Sequence, residues 1–431
     1  MTSRRELFQL GLGALGAAAL PEASPQPARP PNLVLIMADD LGYECLGCNG
    51  ALKYRTPNLD RLAGGGVRFT DAHATPLCTP TRVQLMTGKY NFRNYVEFGS
   101  LPQGETTFGR HLRKSGYRTG VMGKWQLTGA IEGTQYKGVG TLPAAAGFDE
   151  HCLWQVQARG SRYWNPLVQT NGELEPVRKG AFGSDIFAGY AETFIERHRN
   201  RPFFLYYPMN LTHDPFVPTP HSKGATEAQR AASDPIWFAD MVAYMDHLVG
   251  RIAASVERHG IADNTLILFT GDNGTHPSIT TETRSGPYRG GKGGTTAAGT
   301  HVPLIASWKG VAPRGAVCRD LVDFTDFFPT LSQAAGVPMP EGHPSDGRSF
   351  LPQVRGEEGN PRDHIFCHYA PRWGRFPPAR WAMDRRWKLY EDGRFFDLDR
   401  DPLEQGPPIE VPKAAQSVAA RFREVFARMR A

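Results

Sequence analysis

From Asn32 to Ala38 the chain reads Asn-Leu-Val-Leu-Ile-Met-Ala, with no polar position after the first. A short apolar run without alternation predicts a strand buried on both faces. Leu266–Phe269 (Leu-Ile-Leu-Phe) is a second such run, and 203–207 and 302–305 are shorter ones. Between them the spacing becomes helical. Residues 240–259 carry Met241, Tyr244, Met245, Leu248, Val249 and Ile252 on one stripe before Gly260, and 105–115 stops at Gly116. Strands alternating with helices predict a largely parallel sheet covered on both sides. After a helix over 326–335 the texture changes, and 336–359 is rich in glycine, proline and charge. Short strand-like pieces follow at 387–390 and 395–398. A terminal helix then places Ala415, Val418, Phe422, Val425, Phe426 and Met429 on one stripe. The expected architecture is α/β: a large, mixed, mostly parallel sheet sandwiched by helices over 32–336. A smaller C-terminal α+β subdomain with a small antiparallel sheet and terminal helix occupies 337–431.

The first 31 residues stand apart. Arg4-Arg5 precede an apolar, small-residue run from Leu10 to Leu20, and a proline-rich linker spans Pro21 to Pro31. Paired arginines before a short apolar stretch predict a bacterial twin-arginine export signal, hence a periplasmic or secreted protein. The run is shorter than the roughly 20 residues that span a bilayer, so no permanent membrane anchor is expected. Composition narrows the rest. Of 431 residues 40% are hydrophobic and 21% charged, which excludes a chain disordered throughout. The net charge of +6 is spread along the chain rather than gathered in a stripe. That argues against a nucleic-acid partner and for a basic pocket that takes a small anion. Six cysteines are too few for a disulfide scaffold at this length. Cys45 and Cys48 form a CxxC without a redox context and are read as a local disulfide or as buried thiols.

The strand ends carry the chemistry. The first buried run stops at Asp39-Asp40, and the run at Leu266 stops at Gly271-Asp272-Asn273-Gly274. Ligands of parallel sheets sit beyond the carboxyl ends of strands, so three carboxylates and one amide oxygen can meet in one cleft. Such carboxylates repel one another unless a hard divalent cation joins them. Calcium suits loosely arranged oxygens better than magnesium, and zinc would want histidine or thiolate. Farther along, Leu77-Cys78-Thr79-Pro80-Thr81-Arg82 reads as a loop entering a helix.

That segment resembles the signature of the sulfatase family, in which the cysteine is oxidised to formylglycine after synthesis. The resemblance spans nearly the whole chain after the leader and keeps the family's order. It runs from Asp39-Asp40-Leu41-Gly42-Tyr43 through Thr56-Pro57-Asn58-Leu59-Asp60 and Gly66-Val67-Arg68-Phe69 to the Cys78 segment. Gly116-Tyr117-Arg118-Thr119 with Gly123-Lys124-Trp125, Gly147-Phe148-Asp149 and Thr212-His213-Asp214-Pro215 follow. Gly271-Asp272-Asn273-Gly274 and Arg289-Gly290-Gly291-Lys292-Gly293 complete it. The resemblance implies an alkaline-phosphatase-like fold and hydrolysis of a sulfate monoester. It implies a formylglycine diol at Cys78, made by a formylglycine-generating maturation enzyme and activated on a calcium ion held by Asp39, Asp40, Asp272, Asn273 and the modified Cys78. Arg82 would stabilise the diol, Lys124, His213 and Lys292 would cradle sulfate oxygens, and His213 or Asp272 would protonate the leaving oxygen.

Two departures stand out. The family's usual histidine two residues after Lys124 is Gln126 here, and an amide is no base near neutral pH. Thr81 replaces the more usual serine and keeps the hydroxyl. The pocket rim is expected from 127–185, with Trp154, Tyr163 and Trp164, and from Arg372-Trp373-Gly374-Arg375-Phe376. Aromatic faces beside arginines suit a sulfated carbohydrate over a small aryl sulfate. The alternatives are a phosphonate or phosphate ester hydrolase of the same superfamily, and a catalytically weak sulfated-glycan-binding protein.

Overall fold

The computed structural model describes residues 29–129 and 138–430, so the expected export signal at Arg4-Arg5 lies outside the described residues. Ten strands form the main sheet. In order across it they are Ala316–Asp323, Val67–His73, His301–Ser307, Thr265–Gly271, Asn32–Ala38, Phe203–Pro208, Arg118–Lys124, Glu150–Trp154, Gln169–Thr170 and Glu173–Leu174. Asn32–Ala38 lies at its centre with every residue buried. Because strand side chains alternate, Leu33, Leu35 and Met37 enter one apolar core while Val34, Ile36 and Ala38 enter the other. The helix Phe238–Arg258 covers the second core with the apolar stripe expected of it. Phe108–Lys114 and Phe327–Ala334 cover the first. Each fully buried leucine, valine or phenylalanine contributes about 1.5–3 kcal/mol, which makes this sheet a rigid platform for what leaves its edge.

Asn32–Ala38 pairs in parallel with both neighbours, Phe203–Pro208 and Thr265–Gly271, and Ala38 lies opposite Gly271. The mixed, mostly parallel sheet between helices is therefore as expected. Near its edge the short strand Gln169–Thr170 runs against both neighbours, and inside it His301–Ser307 is antiparallel to both strands beside it. Its approach explains the reversal. The chain leaves Thr265–Gly271 at the carboxyl edge and stays there through a hairpin, Thr280–Thr283 with Gly286–Arg289. It then re-enters from that same edge, whereas a parallel strand needs a crossover to the opposite one.

The C-terminal residues build a four-stranded antiparallel sheet from Ile365–Tyr369, Ala379–Met383, Trp387–Tyr390 and Phe395–Asp397. The helix Gln416–Arg428 packs on it through Ala419, Phe422, Val425 and Phe426. The sequence reading found the last two strands and this helix but not the first two strands. Tyr369 donates its hydroxyl to the Gly293 carbonyl at 3.1 Å, tying the small sheet to the loop that carries Lys292.

The last strand of the large sheet ends at Asp323, a buried carboxylate. It accepts hydrogen bonds from Gln84 Nε2 (2.8 Å) and from the amide and hydroxyl of Thr325 (2.8 and 2.6 Å). Burial, reinforced by the charge of Asp326 and opposed by Arg362, pushes its carboxyl from 3.8 to about 6. The folded state binds the extra proton throughout that window, so this group's contribution to stability falls as pH rises from about 4 to 6. Asp323→Asn keeps an acceptor oxygen and cannot ionise. Urea denaturation is expected to show the variant gaining about 2–3 kcal/mol on the wild type between pH 4 and 7. A difference that stays flat with pH would contradict this.

Candidate active site

The site grows from the register of the central strands. With Ala38 opposite Gly271, the next residue on each strand is a carboxylate, and the Asp40 amide donates to Asp272 Oδ1 at 3.0 Å. Asp40 holds φ at +59°, a left-handed conformation that aspartate tolerates better than most residues. Asn273 donates its amide to Asp40 Oδ1 (2.9 Å) and to the Gly274 carbonyl (3.0 Å), while its own Oδ1 is buried without a partner. Asp39, Asp40, Asp272 and Asn273 are fully buried.

Cations surround these acids. Arg82, on the wholly buried helix Cys78–Thr87, donates Nε and Nη2 to Asp272 Oδ2 at 3.2 and 2.8 Å, and Nη2 lies 3.5 Å from Asp39 Oδ1. Lys124, the last residue of its strand, grips both oxygens of Asp39 at 3.0 and 2.9 Å. Lys292 reaches Asp40 Oδ2 at 2.5 Å and His213 Nε2 at 2.9 Å. The ammonium donates both bonds, so His213 keeps its proton on Nδ1, which lies 2.9 Å from Asp214 Oδ1. Burial alone would raise Asp39, but Lys124, His213 and Arg82 hold its carboxyl well below the usual range. For Asp272, burial and the charge of Asp39 prevail over Arg82 and Lys124 and push the carboxyl to about 7. Burial, then the charge of Arg162, depresses His213.

Cys78 opens its helix, and an oxygen of Asp39, an oxygen of Asp272 and Cys78 Sγ all lie within 4.8 Å of one another. The thiol donates to Gln126 Oε1 at 3.5 Å. Burial raises the thiol, opposed by Lys124 and Lys292 and reinforced by Asp272 and Asp39, so an unmodified Cys78 is a poor nucleophile. Above it opens a cavity of about 350 Å³. Gln126, Gln155, Arg159, Arg162, His213 and Lys292 line it with Cys78, and Phe98, Trp373 and Phe376 form its apolar wall.

A family model described as Sulfatase matches residues 31–337. The chain belongs to the sulfatase family. It is 34% identical to human arylsulfatase A over 79% of this chain and 71% of that one. It is 30% identical to dog N-acetylgalactosamine-6-sulfatase over 91% of this chain and 78% of that one. Among solved structures, a Bacteroides thetaiotaomicron protein from a locus for the metabolism of multiple glycosaminoglycans matches with 26% identity and a TM-score of 0.75. It covers 93% of this chain and 99% of its own. This sulfatase is accordingly an enzyme, a sulfuric ester hydrolase.

Every residue assigned from the sequence to metal or catalysis lies in this one cluster: Asp39, Asp40, Asp272, Asn273, Cys78, Arg82, Lys124, Gln126, His213 and Lys292. The rim needs correction. Trp154 and Tyr163 are buried rather than lining the cavity, Trp154 as the end of a sheet strand. Tyr163 spends its hydroxyl on the carbonyls of Asn210 and His213, both at 2.6 Å. Trp164 packs against Phe182 and under the guanidinium of Arg230. Trp373 and Phe376 do line the cavity, as expected, and Phe376 rests on Gly293 so closely that a Cβ there would collide with its ring. Gln155, Arg159 and Arg162 were missed, because single polar residues in an irregular loop carry no spacing signal. Cys45 and Cys48 are free thiols, Cys45 among Glu44, Thr275 and Thr281.

Removing Arg82 would leave the buried carboxylate of Asp272 without its cation, a loss typically worth about 3–5 kcal/mol. Arg82→Met is expected to lower stability by that order in urea denaturation without added metal. Lys309→Met breaks a pair with Asp263 in which both side chains are more than 70% exposed, and is expected to change nothing measurable. Equal effects from the two substitutions would contradict the picture of a charge-balanced buried cluster.

Proposed function

We propose that this sulfatase releases inorganic sulfate from a sulfated carbohydrate, using a formylglycine derived from Cys78 beside a calcium ion. The observation that carries the reading is the meeting of Asp39, Asp272 and Cys78 within 4.8 Å on the floor of a cationic cavity. The residues fit a metal. Asn273 Oδ1 is a buried acceptor without a donor, and Asp272 is a carboxyl that burial and the charge of Asp39 drive toward protonation. A donor set of three carboxylates and one amide oxygen suits a hard cation, calcium before magnesium. Asp39, Asp40, Asp272, Asn273 and the side chain at 78 would hold it. When bound, the cation supplies positive charge that lowers the pKa of an adjacent hydroxyl and steers it toward sulfur. The formylglycine, as its hydrate, supplies that hydroxyl; installing it needs a maturation enzyme.

The chain's own groups do the rest. Arg82 and Lys124 fix Asp272 and Asp39 in place. Lys292 faces the cavity and keeps its third N–H for a sulfate oxygen, such a donor being worth about 3–4 kcal/mol in the transition state, and His213 lines the cavity beside it with Nε2 held by Lys292. Gln126 accepts from the side chain at 78 and orients it, and its amide takes no proton. His213 is better placed than Asp272 to protonate the leaving oxygen, with the Lys292 ammonium on Nε2 as the source of the proton. It lines the cavity, whereas Asp272 is fully buried and bound twice by Arg82.

The substrate class follows from the upper wall. Trp373 and Phe376 remain more than a third exposed, and Phe98 stacks on Trp373 at 4.8 Å. Exposed aromatic faces above a cationic floor suit a sugar ring bearing a sulfate. The relative named for N-acetylgalactosamine 6-sulfate ester cleavage agrees with that class. No helix of the described residues is long and apolar enough to cross a membrane, and Arg4-Arg5 support export.

The test is sulfate release by protein co-produced with a formylglycine-generating enzyme, assayed on sulfated monosaccharides, 4-nitrophenyl sulfate and a phosphonate monoester. Turnover of the sulfate esters is expected, with a mass spectrum showing the sulfur of residue 78 replaced by oxygen. Cys78→Ala is expected to cost at least about 10⁴-fold and Lys292→Ala about 10²–10³-fold. Chelation of calcium is expected to suppress turnover reversibly. Faster cleavage of the phosphonate, or glycan binding without release, would overturn the reading in favour of the respective alternative.

A further inference from the structure

Arg162 is the buried cation of the cavity that no sequence motif marks. It is 93% buried, and its guanidinium lies over the indole of Trp154 at 4.3 Å, which fixes its direction. Nη1 comes to 3.5 Å of Asp39 Oδ2 without hydrogen-bonding geometry and is a buried N–H group with no partner. The neighbouring cations are committed. Lys124 is held by both oxygens of Asp39, Arg82 by Asp272, and Lys292 by Asp40 and His213. A buried charged donor without an acceptor is costly unless a ligand supplies one. Arg162 lines the same cavity as Cys78, Gln126, His213 and Lys292, so the acceptor would arrive there.

Gln126 sharpens the point. A neutral amide stands beside Cys78 at position 126, so that position brings no positive charge to the cavity. Arg162 brings one from a different loop. Its fork also offers parallel N–H groups, a geometry that matches two oxygens of one anion.

Resting on the reading of this cavity as a sulfate site, we infer that Arg162 binds a non-bridging oxygen of the substrate's sulfuryl group through Nη1 and supplies the positive charge that position 126 lacks. It is a binding residue in direct contact with substrate, and Trp154 is its positioning partner. Product sulfate, with one more negative charge than the ester, is held there more strongly than the ester.

The experiment uses the full chain with Cys78 left as the thiol, calcium present, and sodium sulfate as the probe in a calorimetric titration. Arg162→Met is expected to weaken sulfate binding at least tenfold while leaving calcium affinity no weaker than in the wild type. Arg162→Gln preserves a polar group beside Asp39 and serves as the second variant if Met impairs folding, with the same expectation. In matured enzyme the same substitutions are expected to lower kcat/KM for a sulfate ester at least tenfold. A folded variant that binds sulfate as tightly as the wild type would overturn the inference, leaving Arg162 a structural partner of Asp39. A matured wild-type enzyme that cleaves no sulfate ester would instead sink the proposed function, and the calorimetric comparison would still decide the role of Arg162.

Discussion

Three carboxylates buried side by side at the ends of two parallel strands are the constraint that organises this molecule. Asp39, Asp40 and Asp272 are fully enclosed, and burial without compensation would drive protons onto them. Arg82, Lys124 and Lys292 each sit in direct contact with one of them. These cations come from a buried helix, another strand end of the same sheet and a distant loop, so the charge balance ties together segments about 250 residues apart. An arrangement so dense in opposite charges has little value as a stabilising device, since well-packed apolar groups do as well or better. Its value lies in holding charge ready for a ligand.

The periphery serves that centre. The small C-terminal sheet anchors the Lys292 loop through Tyr369 and Phe376, and it adds Trp373 to the cavity wall. The hydroxyl of Tyr163 holds the carbonyls of the turn that carries His213. Trp154 orients Arg162. Trp154 and Tyr163, which look like part of a binding rim in the sequence, thus act one layer behind it.

What could be read from the sequence tracks how local its cause is. The central strands were legible because a strand buried on both faces must be apolar at every position, as Leu33 to Ala38 are. The carboxylates were legible because strand ends in a parallel sheet share an edge, and register then places Asp39 beside Asp272. The strands Ile365–Tyr369 and Ala379–Met383 were not, since His368 and Arg380 interrupt short runs whose pairing partners lie in each other. The antiparallel turn of His301–Ser307 depends on which edge the preceding hairpin occupies, information absent from the run itself. Arg162 was invisible for a third reason. Only its burial beside Asp39 in three dimensions distinguishes it from Arg159, the exposed arginine of the same loop.

The central claim is that these acids and the side chain at position 78 share one cation. Anomalous diffraction from crystals grown with calcium tests it directly. The account predicts one peak within about 2.3–2.6 Å of oxygens from Asp39, Asp40, Asp272 and Asn273, adjacent to residue 78. A calcium ion bound elsewhere, with Lys124 and Lys292 still closed on Asp39 and Asp40, would contradict it.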